Sequence, residues 1–194
     1  MKKFIAISCL LFISVFCISA FAQDDTSQEE MMKAWQEYMS PGPMHELMAK
    51  GVGEWTSNIK MWEDPDQPPT ESTGTSVVKS ILGGRYFEGR HTGTFNGMEM
   101  DGRDITGYDN AKKKFFNTWI DNFGTGIMYL EGTYDEGTKI FTFTGTMVDP
   151  MSGKDIPVRE TFQWTDDDHQ HMEMFMSDND QEFKTMEIDF ARKK

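Results

Sequence analysis

The sequence predicts an all-β protein: an antiparallel up-and-down β-barrel of about ten strands behind a short N-terminal helical segment. Three observations carry that prediction. Stretches with period-two alternation recur at short, regular spacing between residues 53 and 192. Their connectors are rich in Gly, Asn, Asp and Pro, the residues that turns select. No long helical segment separates them, as a parallel sheet would require, and closing a meander removes its exposed edges.

The chain begins with a targeting pattern. Lys2 and Lys3 precede an almost wholly apolar run, 4–21, and Ala20-Phe21-Ala22 is a small-x-small cleavage signal. That is the pattern of a secretory signal peptide, so residues 1–22 are expected to be removed after Ala22, leaving no membrane span. A periplasmic or secreted location follows. Lipid attachment at Cys17 is disfavoured, because Phe16 occupies a position that needs a small residue. Both cysteines, Cys9 and Cys17, fall within the leader, so the rest of the chain offers no disulfide, thiolate metal site or cysteine nucleophile. Residues 23–51 form the helical segment and 52–194 the barrel, within one domain of 172 residues. Without Lys2 and Lys3, 17 basic residues face 32 acidic ones, a net charge of −15. Such a surface repels nucleic acid and anionic membranes, which excludes a nucleic-acid role and specifies no oligomeric state.

After a polar stretch, 24–30, Met31, Met32, Trp35, Tyr38 and Met39 recur at helical spacing. The helix they predict could cap the barrel or dock a partner. Ser40-Pro41-Gly42-Pro43 ends it, and a second helical turn, 44–50, leads to Gly51. Alternation then takes over. The first strand, 53–62, sets Trp55, Ile59 and Met61 on one face, and Pro65, Pro68 and Pro69 interrupt the ladder before a second strand, 72–82.

Two strands joined at Asn96-Gly97 occupy 85–108, since that dipeptide suits the positive φ values of a type I′ turn. On the first, Phe87, Gly89, His91, Gly93 and Phe95 share one face, and the other face is largely polar. Further strands are expected at 114–121, 125–134, 139–149, 156–165, 169–178 and 182–192.

Several stretches resemble the bacterial family catalogued as domain of unknown function 1579, a lipocalin-like (calycin) group. They are Pro43-Met44-His45-Glu46-Leu47, Gly53-Glu54-Trp55, Ser72-Thr73-Gly74, Leu82-Gly83-Gly84-Arg85, Gly107-Tyr108-Asp109-Asn110, Thr118-Trp119-Ile120-Asp121, Glu131-Gly132-Thr133-Tyr134 and Lys184-Thr185-Met186-Glu187. The resemblance implies a lipocalin-like barrel and brings no established activity. It also implies that Trp55 plugs one barrel end and stacks on a basic residue of the last strand, the place held by Arg192.

Candidate functional residues fall into three groups. The expected ligand-binding lining is Phe87, His91, Phe95, Trp119, Met128, Phe141, Phe143, Phe162, Met172 and Met174, suited to a small hydrophobic ligand. The same list could instead fill the barrel completely. Metal or haem binding is a second reading. His91 would serve as an axial ligand, by resemblance to barrels that hold haem through a histidine, or the alternating Met172, Met174 and Met176 would bind Cu(I). His169, His171 and Glu173 alternate on the opposite face of that strand and read as solvated. The acidic turns 166–168 and 178–180 do not fit a calcium loop. No catalytic signature, metal set or cofactor is assigned; a non-binding envelope module is the third reading.

Overall fold

The computed structural model describes residues 27–178 and 181–194; the expected leader and its cleavage site lie outside the described residues. Ten antiparallel strands close into one barrel in chain order. They are β1 (Gly53–Met61), β2 (Thr70–Ile81), β3 (Tyr86–Phe95), β4 (Met98–Asp109), β5 (Lys114–Asp121), β6 (Met128–Asp135), β7 (Ile140–Val148), β8 (Asp155–Trp164), β9 (His169–Asp178) and β10 (Gln181–Arg192). Closure comes from β1 pairing with β10, in the register Trp55↔Arg192 to Met61↔Met186.

Two strand boundaries differ from the sequence reading by two residues or more. The β2 ladder starts at Thr70, directly after the proline pair that lacks N–H donors. β6 starts at Met128, because residues 125–127 belong to an exposed connector beside Gly124 and Gly126. The Asn96-Gly97 turn has φ of 49° and 77°, the left-handed pair that type I′ geometry requires. It sets Phe95 opposite Met98, and hence His91 opposite Gly102 and Gly89 opposite Asp104.

One barrel end is packed shut. Trp55 is 1% exposed, its indole donates to the Gly51 carbonyl at 2.9 Å, and the Arg192 guanidinium lies 4.1 Å from its ring centre. Arg192 also donates to the carbonyls of Val52 and Lys50, both at 2.8 Å, and so ties the last strand to the segment before the first. The acidic turn contributes here as well, since the Asp167 carbonyl and the Asp168 carboxylate both meet Arg192.

The helix that covers this end is α2 (Pro43–Ala49), whose Met48 enters the core with Phe87, Phe115, Leu130, Phe141, Phe143, Val158 and Met174. His45 of α2 is structural: its Nδ1 accepts the Gly42 N–H at 3.1 Å, and burial lowers its pKa. α1 (Gln28–Met39) starts at a capping box between Ser27 and Glu30 and buries no residue. Its apolar stripe faces outward, with Met31, Met32, Trp35, Tyr38 and Met39 between 47% and 65% exposed. Capping therefore falls to α2, because Met44, Leu47 and Met48 supply the apolar face that meets the core. Among the described residues no helix is long and apolar enough to cross a membrane.

Candidate ligand site inside the barrel

The opposite end is built differently. Its inner wall is rich in methionine: Met61, Met100, Met128, Met147, Met176 and Met186 point inward and are half-buried. The mouth is thus less tightly packed than the Trp55 end, while Leu130 and Val158 keep the core buried above mid-depth.

At mid-depth the wall turns polar. Asp104 of β4 accepts from His91 Nε2 at 2.7 Å through one carboxylate oxygen. Its other oxygen accepts from the Thr106 hydroxyl at 3.0 Å and from Asn117 Nδ2 at 3.3 Å, and Asn117 also donates to Thr106 at 2.8 Å. The Asp104 carboxylate thus has three donors within the wall. The neighbouring glycines make this fit possible. A Cβ on Gly89 would lie 1.9 Å from the Asp104 carboxylate, and one on Gly102 would lie 2.5 Å from the Trp119 ring. Trp119 stacks at a tilt on His91, 5.2 Å between ring centres, and its indole donates to Asp121 at 2.7 Å.

Glu160 of β8 faces the same interior, between Phe143 and Met174 on the flanking strands. Enclosure pushes its pKa up to about 7, helped by the nearby Asp104 charge. No hydrogen-bond donor among the described residues offsets those two effects. Although surrounded by protein, Glu160 is only partly buried, so part of its surface meets the internal space.

The ten residues expected to line the barrel all face inward and differ in burial rather than by depth. Phe87, Phe141, Phe143 and Met174 are no more than 9% exposed and belong to the packed core, against which Phe162 and Met172 pack nearer the closed end. His91, Phe95, Trp119, Met128, Phe162 and Met172 are half-buried and face the interior. Phe95 sits at the mouth, 5.5 Å from Phe123. Asp104, Thr106, Asn117 and Glu160 escaped sequence reasoning. The signal for Asp104 was available: counting outward from Asn96-Gly97 places it opposite Gly89, on the inward face.

On the outer wall, His171, Glu173 and Glu187 bring three potential ligand atoms within 4.8 Å of one another. The Lys184 ammonium already lies among them, 3.1 Å from Glu173 and in direct contact with Glu187, while Lys60 reaches Glu187 at 2.9 Å. These bonds hold Glu187 down at about 2. The cluster is an outer-face charge ladder whose cations are lysines. His169 stands apart, bonded to Asp166 at 2.8 Å. A shallow groove of about 690 Å³ also crosses the outer wall over Gly74 and Gly93, lined by four threonines together with Glu99, Asp101 and Asn122.

The sequence profile of the DUF1579 family, described as proteins of unknown function, matches residues 40–192. The chain belongs to the DUF1579 family. No curated protein matches it. Two solved structures are similar to this DUF1579 member in fold. Rv2717c from M. tuberculosis superposes with a TM-score of 0.60 at 11% identity, covering 80% of this chain and 100% of that one. The S-type phycobiliprotein lyase CPES from Guillardia theta gives 0.57 at 11% identity, covering 78% and 93%. The DUF1579 barrel is thus a closed, ten-stranded lipocalin-like fold.

Proposed function

We propose that this DUF1579 protein is an exported carrier whose barrel takes up one small, largely apolar ligand through its methionine-lined mouth. The observation that carries this reading is the contrast between the two ends: one closed around a buried Trp55, the other rimmed by inward methionines that are only half-buried. Small barrels hold one ligand in such a space, and methionine adapts to varied apolar shapes. The phycobiliprotein lyase among its structural neighbours agrees with a barrel that handles a small molecule. Export is supported by Lys2-Lys3, the apolar run 4–21 and Ala20-Phe21-Ala22.

Native mass spectrometry of the protein purified from its own envelope, against its denatured mass, tests the proposal. A co-purifying small molecule supports a carrier, and a mature chain beginning at Gln23 supports cleavage after Ala22. An apo mass that persists after incubation with lipid extract, haemin and Cu(I) refutes binding and favours a filled envelope module. One observation favours a haem or metal reading as well. His91 gives its Nε2 to Asp104, and a carboxylate partner of that kind orients histidines that ligate metal through the other nitrogen. A bound haem or metal would be recognised by its mass.

A further inference from the structure

Away from the closed end, the inward-facing acidic residues have no lysine or arginine beside them among the described residues. Asp104 and Glu160 occupy mid-depth and Asp121 the mouth. Among the described strand residues, the inward-pointing guanidinium is Arg192, folded over Trp55 at the closed end. The strand lysines Lys60, Lys114 and Lys184 bond carboxylates on the outer face. A ligand with a carboxylate head would therefore meet Asp104 and Glu160 and no lysine or arginine among the described residues at that depth.

The two mid-depth carboxylates differ in how they are satisfied. Asp104 has three donors, whereas Glu160 is enclosed and has none among the described residues. A barrel for neutral molecules would gain from a methionine or glutamine at position 160, since an unpaired enclosed carboxylate disfavours folding. Uncompensated groups of this kind concentrate at functional sites. What the wall lacks is a cation. Trp119, beside His91, and Phe143, opposite Glu160, add aromatic faces that attract one.

We propose that the barrel selects amphipathic amines, with the apolar body among the methionines at the mouth and the protonated nitrogen between Asp104 and Glu160. This rests on the carrier reading above and adds the ligand's charge. Direct proton transfer is not needed, because an alkylamine arrives protonated and Glu160, raised to about 7, is already ionised at pH 8. The charge acting on Glu160 is that of Asp104 on β4, itself bonded to His91, while its partners on β7 and β9, Phe143 and Met174, are uncharged.

The test uses three probes with one alkyl chain: dodecylamine, 1-dodecanol and dodecanoate. Each displaces the neutral fluorophore N-phenyl-1-naphthylamine from the mature protein at pH 8 in 0.15 M salt, where exposed charges are screened beyond about 8 Å. The amine is expected to bind at least about tenfold more tightly than the alcohol, and dodecanoate more weakly than both. Glu160→Gln should reduce the amine's advantage over the alcohol, both measured on the variant, to about threefold or less. Dodecanoate binding as tightly as dodecylamine would overturn the amine selectivity while the carrier reading stood. An amine advantage unchanged in both Glu160→Gln and Asp104→Asn would trace the attraction to the acidic outer surface, and would overturn it too. Failure of the fluorophore and all three probes to bind would remove the carrier reading itself.

Discussion

Glu160→Gln is the most informative substitution in the barrel, because its effect has a sign that reverses intuition about removing a charge. An enclosed carboxyl whose pKa rises from 4.5 to about 7 holds its proton more tightly in the folded state than in the unfolded one. Its favourable protonated state is fully present below about pH 4.5, and that advantage is lost as pH rises through about 7. Above that range the folded protein carries an ionised, unpaired carboxylate at a penalty of about 3 kcal/mol, from 1.36 kcal/mol for each tenfold change in proton affinity. Gln keeps the shape and cannot ionise. The variant should match the parent near pH 4.5 and exceed it by about 3 kcal/mol at pH 8, roughly 6–12 °C in Tm for a domain of this size.

Urea melts of both mature proteins at pH 4.5, 6, 7 and 8, at constant ionic strength, would measure this. Every other titrating group is common to the two proteins and cancels in the difference, save for groups coupled to Glu160, of which Asp104 is the one its pKa registers. A difference that stays flat with pH would refute the argument, since it would mean Glu160 ionises as freely folded as unfolded. A less stable variant at pH 8 would refute it more sharply, by showing that the carboxylate already has a partner.

Two other substitutions probe the architecture around the site. Gly89→Ala places a methyl 1.9 Å from the Asp104 carboxylate and 2.6 Å from His91 Nε2, so the His91–Asp104 pair must part. A loss of about 1–3 kcal/mol in chemical denaturation is expected, and a loss below about 0.5 kcal/mol would show that the pair is loosely held. Arg192→Met keeps an apolar stem over Trp55 but removes the donors to the Lys50 and Val52 carbonyls. It should lower stability by about 2–3 kcal/mol, the range for hydrogen bonds to a charged group, and weaken the near-ultraviolet dichroism of the tryptophans. An unchanged urea midpoint would mean the floor closes without it.

The barrel was legible because its signals are local and repeated. Strand alternation, the turn residues and Asn96-Gly97 each act within a few residues, and ten such units in chain order leave few topologies but a meander. The helices were less legible. Met31, Trp35 and Tyr38 form as clear an apolar stripe as a capping helix would, but whether a stripe is buried depends on what lies opposite. The short segment 43–49 meets the core instead, since Gly51, Trp55 and Arg192 anchor it at the barrel end. The polar wall was hidden for a related reason. His91 is visible in any one-dimensional scan, whereas Asp104, Asn117 and Glu160 are ordinary polar residues until strand register turns them inward. Hairpin counting reaches Asp104 from His91, because only a two-residue turn intervenes. Glu160 pairs across β7 and β9, and its nearness to Asp104 depends on closure, which no local pattern encodes. The residue that most constrains the ligand's charge is thus one whose significance exists only once the barrel has closed. Charge at inward register positions, rather than motif, is therefore the feature to read in other DUF1579 chains when their ligands are sought.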